Sequence, residues 1–236
     1  MLSLHRAAGT FRRRVTRYIA LTHFAKDRFV EGGLPEERIR VKPNFVDRDP
    51  GLGSGRGGYA LFVGRLSDEK GIDVLLRGWQ TIGARLPLRI AGDGPMQGRV
   101  ERDAANLDGV TLLGSIPAAA VAREMADATA VIVPSTSYET FCLVAVEAFS
   151  VGTPVIASRL GALSEVVSHG KTGFLFEPNS EEGLVEAVET LMDQPGGAEP
   201  MRRAARREYE THFTADSNYR QLIAIYEEAL DSTPTV

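Results

Sequence analysis

The chain has 236 residues, with 27 Lys/Arg against 31 Asp/Glu and 43% apolar and 7% aromatic residues, the make-up of a soluble globular protein of one large domain or two modest ones. Its single cysteine, Cys142, excludes an internal disulfide and fits a reducing, cytoplasmic compartment; no apolar run approaches the roughly 20 residues of a membrane span, and the segment from Met1 to Arg6 lacks the long apolar core of a signal peptide. The net charge of −4 is uneven: residues 1–50 carry 11 Lys/Arg and 6 Asp/Glu (+5), the remainder 16 and 25 (−9).

The basic excess centres on Arg12, Arg13, Arg14 and Arg17, on a helix expected over 5–17. It is read as a solvated face or a face for another domain, with a weak peripheral contact to an anionic inner membrane face as the alternative. A strand follows at Tyr18–Leu21. Thr22 is placed to cap a helix from His23 to about Glu31, ended by Gly32-Gly33, and Arg38–Lys42 is a second strand. Residues 46–58, rich in glycine, read as a flexible linker. Two strands and two helices cannot build a full α/β domain, so 1–45 is expected to be the remnant of one.

From Tyr59 onward strand and helix signals alternate. Strands are expected at Tyr59–Val63, Leu86–Ala91, Val110–Leu113, Ala130–Val133, Pro154–Ala157 and Gly173–Phe176. Between them lie helical spacings over Lys70–Ile82, from Pro95 onward, over Pro117–Ala126, from about Phe141, and over Leu163–Val167. Two or three helices close the chain, among them Glu181–Met192 and Ala215–Leu230. This alternation predicts an α/β, Rossmann-like, doubly wound parallel sheet over 59–205, with 206–236 packing back toward the N-terminal part.

In such sheets ligands bind beyond the carboxyl ends of the strands. The polar loops fall there: Gly64-Arg65, Gly92-Asp93-Gly94, Gly114-Ser115-Ile116 and Ser135–Glu139. The last loop opens the most informative stretch. Glu139 and Glu147 stand with seven residues between them where a strand leads through a loop to a helix start, a place suited to a phosphate, with carboxylates for hydroxyls on either side of it. Arg65 and Lys70 add two cations suited to a diphosphate. A nucleotide sugar has this layout.

Gly-Arg-Leu-x-x-Glu-Lys-Gly71, Ala-Gly-Asp-Gly-Pro95, Pro-Ser…Glu139-x7-Glu147-Ala and Gly-Thr-Pro-Val-Ile-Ala-Ser158 occur in this order. Together they resemble the donor-binding C-terminal half of retaining GT-B glycosyltransferases of family 4, and the likeness runs from about residue 16 to the end. The resemblance implies a nucleotide-diphosphate sugar (UDP- or GDP-sugar) as donor, no prosthetic group and no metal. The acceptor would be a saccharide or a lipid-linked molecule. It gives Arg65 and Lys70 to the diphosphate, beside Gly64. Glu139 lies near the transferred sugar, with catalytic weight on Arg65, Lys70 and Glu139. Glu147 takes the ribose hydroxyls, the amides around Thr140, Phe141, Cys142, Leu143 and Val144 the phosphates and sugar, and the main chain of Ile116 the base. Asp93 and Gly94 belong to the same cleft. Cys142 replaces the family's usual glycine; at a helix start a thiol tends toward a lowered pKa, the alternative being a small buried filler. None of the four histidines matches the one the family carries in its front domain, so the chain is expected to bind donor without necessarily completing transfer.

Other readings carry less. Gly53–Gly58 fits G-x-G-x-x-G but precedes a strand. Gly92–Gly98 lies between strand and helix with its third glycine one residue late, which leaves a Rossmann NAD-dependent dehydrogenase as the rival. Asp47-Arg-Asp49 mimics a metal-binding pair beside Pro50. No basic patch interleaves with aromatics, so nucleic acid is not an expected partner. An uncovered apolar face on the remnant would favour a homo-oligomer.

Overall fold

The computed structural model describes residues 9, 10, 14–195 and 197–232. Most of the helix expected over 5–17, with Arg12 and Arg13, lies outside them. Arg17 is described, and it is engaged: its guanidinium donates to the Glu228 carboxylate at 3.2 Å and to the Ser232 hydroxyl at 2.6 Å. Arg40 binds the same carboxylate. Arg17 is therefore committed to the end of the last helix rather than offered to an anionic surface.

Two parallel sheets form. The small one pairs β1 (Tyr18–Ala20) with β2 (Ile39–Val41), joined through α1 (His23–Glu31). The large one holds six strands: β3 (Ala60–Val63), β4 (Leu88–Ala91), β5 (Val110–Gly114), β6 (Ala130–Val133), β7 (Val155–Ser158) and β8 (Gly173–Phe176). Their spatial order is β5-β4-β3-β6-β7-β8, all parallel. This is the doubly wound order, and it reverses between β3 and β6. The connecting helices are α2 (Ile72–Ile82), α3 (Gln97–Ala104), α4 (Ala118–Asp127), α5 (Leu143–Ser150) and α6 (Leu163–Val166). After β8 come α7 (Glu181–Met192), α8 (Glu199–His212) and α9 (Ala215–Asp231).

Alternation along each strand sorts the core into two layers. Phe62, Ile90, Ile132, Ile156 and Phe176 point to one face and pack with α2 and α7; Leu61, Ala91, Val131, Val133 and Leu175 point to the other and pack with α4, α5 and α8. Strands buried on both faces read as unbroken apolar runs, which is why they are legible without alternation in the sequence. Trp79 is fully buried on the first layer, and its indole N–H donates to the Leu86 carbonyl at 2.8 Å. The boundary expected at 205 falls inside α8, which runs unbroken to His212 and carries buried Ala204, Ala205 and Tyr209 on one continuous face.

The glycine-rich segment before β3 is not a free linker. Gly53 N–H donates to the Val151 carbonyl at 2.9 Å, Gly55 N–H to Ala126 at 2.9 Å and Gly57 N–H to Asp127 at 2.8 Å. Arg202, on α8 and buried, gives its guanidinium to the carbonyls of Gly53 (2.8 Å) and Ala128 (3.3 Å) and to the Thr153 hydroxyl (3.3 Å). Each glycine answers a different neighbour. A Cβ at Gly53 would stand 2.3 Å from the Ala126 carbonyl oxygen, at Gly55 2.4 Å from the Arg202 guanidinium, at Gly57 2.3 Å from the Tyr59 ring. Close approach, not flexibility, selects glycine here.

In a flexible linker, Gly53→Ala would stabilise by about 0.4–1 kcal/mol through the unfolded chain. The docked segment predicts a loss of about 1–3 kcal/mol instead, a fall in Tm of several degrees, because the clash is with backbone. Thermal unfolding of the variant distinguishes the two.

Candidate functional site

The loops after β3 and β6 meet where the strand order reverses, and there the backbone pins them together. Gly71 has φ +71°, and a Cβ on it would stand 1.8 Å from the Pro134 carbonyl oxygen. Thr136 N–H donates to the Glu69 carbonyl and Thr136 Oγ1 to the Asp68 carbonyl, both at 3.0 Å. A short 3-10 turn over Asp68–Lys70 precedes α2, which therefore begins at Ile72 rather than at Lys70 as its periodicity suggests. The left-handed residue Gly71 separates the two.

The clamp sets Lys70 against Glu139. Lys70 Nζ lies 2.8 Å from Glu139 Oε1, and the Ser135 hydroxyl donates to the same oxygen at 2.6 Å. Arg65, exposed on the loop after β3, has no hydrogen-bond or ion-pair partner among the described residues. α5 starts at Leu143, two residues later than expected, with Cys142 at the cap position making no side-chain capping hydrogen bond. The N–H groups of Thr140, Phe141, Cys142, Leu143 and Val144 find no acceptor among the described residues. They form a run of free donors at the positive end of a helix.

Glu147 lies one turn further along. The residue is half-buried, its carboxylate has no hydrogen-bond or ion-pair partner among the described residues, and desolvation pushes its pKa up from the usual carboxylate range. A partly desolvated acceptor without donors is one that a ligand can satisfy.

On the other side of β3, a cavity of about 370 Å³ lies beyond the carboxyl ends of β3, β4 and β5, lined by Gly64, Arg65, Asp93, Ser115 and Ile116 among others. Its walls are sewn together by Gly64 N–H to Ala91 O (3.0 Å), Leu66 N–H to Asp93 O (2.7 Å) and Gly92 N–H to Gly114 O (2.8 Å). Ile116 is half-buried, and its N–H has no acceptor among the described residues. Gly64 has room for a Cβ at ordinary contact distance from Phe62 (3.4 Å), so nothing in the chain itself demands glycine there. Gly92 and Gly94 are the opposite case. A Cβ on them would strike the Gly64 carbonyl oxygen at 1.9 Å and the Leu66 carbonyl oxygen at 2.5 Å, so these glycines close loop upon loop. The dinucleotide pattern over Gly92–Gly98 thus serves packing, and it follows β4 instead of β3, the first strand of the doubly wound order.

Of the two readings the sequence left for Cys142 the structure agrees with the small buried filler, and Asp49 is taken up by an ion pair. Cys142 is no activated nucleophile: it is 2% exposed within the second core layer, and burial, reinforced by the Glu139 carboxylate, pushes its thiol up to about 12. Helix position gave the wrong sign because the sulfur faces the core. Asp49 of the Asp-x-Asp pair spends both oxygens on Arg206, at 2.7 and 2.6 Å, and that pairing holds its pKa low.

Sequence reading also missed contacts that tie the N-terminal segment to the site. Glu165 on α6 accepts the N–H groups of His23 (2.8 Å) and Phe24, capping α1 beside Thr22. Thr22 Oγ1 donates to the Thr140 carbonyl at 3.3 Å, and the rings of Phe24 and Tyr138 pack with centroids 4.9 Å apart. Thr-x-x-Ala at 22–25 signals the cap; nothing local signals a carboxylate 142 positions away. A larger cavity, about 650 Å³, lies elsewhere, between α2 and α3. Its charges already pair as Arg99 with Asp73 (3.0 Å) and Asp103 (3.4 Å). No helix among the described residues is long and apolar enough to cross a membrane.

Glu147 gives a signed prediction. A carboxyl whose folded pKa is raised binds more protons folded than unfolded, so its ionisation costs stability once pH exceeds the unfolded value, about 4.3. Glu147→Gln should raise Tm at pH 7. The gain should shrink as pH is lowered toward 4, measured by thermal scans across pH.

Known proteins resemble this chain in sequence and in fold. A D-inositol 3-phosphate glycosyltransferase of Pseudarthrobacter chlorophenolicus is 35% identical over 196 residues, covering 73% of this chain and 46% of the relative. A glycogen synthase of Thermus thermophilus is 34% identical over 200 residues, covering 83% and 44%. The chain spans between 41% and 58% of the length of such relatives. Among solved structures, Anabaena Alr3699/HepE in complex with UDP superposes with a TM-score of 0.87 at 22% identity, covering 96% of this chain and 68% of that one. Sucrose-phosphate synthase of Thermosynechococcus elongatus superposes at 0.78 and 23%, covering 91% and 58%. These chains share the fold. The family profile described as "Glycosyl transferases group 1" matches residues 48–208, and the chain belongs to that family.

Proposed function

We propose that this chain binds a nucleotide-diphosphate sugar and forms the donor side of a retaining glycosyltransferase, the acceptor being a saccharide or lipid-linked molecule. The observation that carries the reading is the run of unpaired N–H groups at the start of α5, flanked by Glu139 and Glu147 and faced by Arg65 and Lys70 across the reversal of strand order. The base would enter the cavity at Ile116, and the ribose hydroxyls would supply the donors that the Glu147 carboxylate lacks. The diphosphate would lie between the cations and the helix start, with the sugar beside Glu139.

In transfer, the bond between the anomeric carbon and the diphosphate oxygen breaks, and its electron pair leaves with the diphosphate. The acceptor hydroxyl oxygen forms the new bond to the anomeric carbon, and its proton passes to the departing diphosphate oxygen. Arg65, Lys70 and the amides around Cys142–Val144 would stabilise charge that grows on the departing group. Glu139, tied to Lys70 and Ser135, orients the sugar. The HepE complexes with UDP and with UDP-glucose support uridine as the first base to test.

Titration calorimetry of this chain with UDP, GDP, ADP, NAD and the sugar conjugates tests the reading. One nucleoside diphosphate should bind, and Lys70→Ala and Glu147→Ala should each weaken it by tenfold or more, the value of a lost charge-assisted hydrogen bond. Binding of NAD alone, indifferent to both substitutions, would contradict it.

A further inference from the structure

The Glu139 carboxylate is held unevenly. Both of its hydrogen-bond donors, Lys70 Nζ at 2.8 Å and Ser135 Oγ at 2.6 Å, meet the same oxygen, Oε1; Oε2 accepts no hydrogen bond from the described residues, and the buried Cys142 thiol lies near enough to the carboxylate to be pushed up by it. Ser135 is 1% exposed, two residues past the end of β6, and the flanking residues Pro134 and Thr136 are those that the Gly71 and Asp68–Glu69 backbone clamps. The hydroxyl therefore sits on a fixed backbone, out of water, in contact with a carboxylate. Lys70 is different in kind: a flexible amine, partly exposed, that the proposed site assigns to the diphosphate.

We propose that Ser135 is a positioning residue for donor-sugar recognition. Its hydroxyl anchors Oε1 of Glu139 so that Oε2 is presented to a hydroxyl of the donor's sugar ring, and it keeps that anchor when the diphosphate draws Lys70 away. Two donors on one oxygen make this possible. With only the lysine, binding of the diphosphate would release the carboxylate just when it is needed. A short hydrogen bond from a buried hydroxyl to an ionised group is among the stronger neutral-to-charged contacts, and it fixes a torsion that solvent would otherwise leave free. The anchor acts on the sugar, not on the nucleotide. Ser135 is thus a determinant of how well the chain distinguishes a nucleotide sugar from the bare nucleoside diphosphate.

This inference rests on the donor-site reading, and the test separates the two. Affinities are measured by calorimetry for the nucleoside diphosphate that binds best among UDP, GDP and ADP and for its glucose conjugate, on the unsubstituted chain, Ser135→Ala and Ser135→Thr. Ser135→Ala should weaken the sugar conjugate about tenfold while leaving the bare diphosphate within about twofold, and Ser135→Thr, which restores a hydroxyl, should recover most of the loss. Equal weakening of both ligands would overturn the proposal, since that is what a collapsed loop does. No change in either ligand would overturn it as well. Failure of the unsubstituted chain to bind any of the nucleotides would overturn the donor-site reading, and this inference with it.

Discussion

The backbone at Gly71 runs so close to the carbonyl of Pro134 that no side chain fits between them, and Thr136 bonds twice to the neighbouring turn. This contact joins the loop after β3 to the loop after β6, the two strands that flank the reversal of strand order. Lys70 and Glu139 ride on the clamped segments, 69 positions apart in sequence and 2.8 Å apart in space. Were the clamp to loosen, the cation and the carboxylate would lose their relation, and the free amides at the start of α5 would face an open surface. The sheet order supplies a crevice; the clamp gives it a fixed width.

A second set of contacts anchors the domain from behind. Arg202 threads a buried guanidinium into the carbonyls of the glycine-rich segment, and Asp49 pairs with Arg206 on the same helix. Glu228 gathers Arg17 and Arg40, and Glu165 caps α1. The N-terminal segment is therefore bound to the large sheet's domain at both of its ends, one of them next to the Glu139 loop. Stability and site chemistry pull in opposite directions here. Arg202, Arg206, Arg40, Asp49 and Glu228 on the rear face are paired, whereas Arg65, Glu147 and five consecutive amides on the front face have no hydrogen-bond or ion-pair partner among the described residues. That contrast is the physical signature of a binding surface.

Much of this was legible in the sequence, and for identifiable reasons. Strands β3, β6, β7 and β8 are buried on both faces, so they read as apolar runs whatever their neighbours, whereas the edge strand β5 holds only partly buried and exposed residues; α7 has the bounds its sequence suggests, and Ser180 caps it. Glu139, Glu147, Arg65 and Lys70 were legible because their spacing around a strand–loop–helix unit has a chemical meaning. What escaped depended on contacts distant in sequence. The glycines at 53, 55 and 57 look like flexibility and are close approach, which only Ala126, Arg202 and Tyr59 reveal. Cys142 looks activated from its helix position and is suppressed by the core it faces. The start of α2 was misplaced because periodicity cannot see a left-handed glycine, and the roles of Ser135 and Thr136 exist only once two loops meet.

The central claim is that a nucleoside diphosphate sits across the β3–β6 crevice against the start of α5. Mapping backbone amide shifts by NMR as UDP is added to the isotopically labelled chain tests it most directly. The account predicts the largest shifts at Gly64-Arg65, Ile116 and Thr140–Val144, with Glu147 following. Shifts concentrated instead around the α2–α3 cavity or the glycine-rich segment, with the α5 amides unmoved, would contradict it.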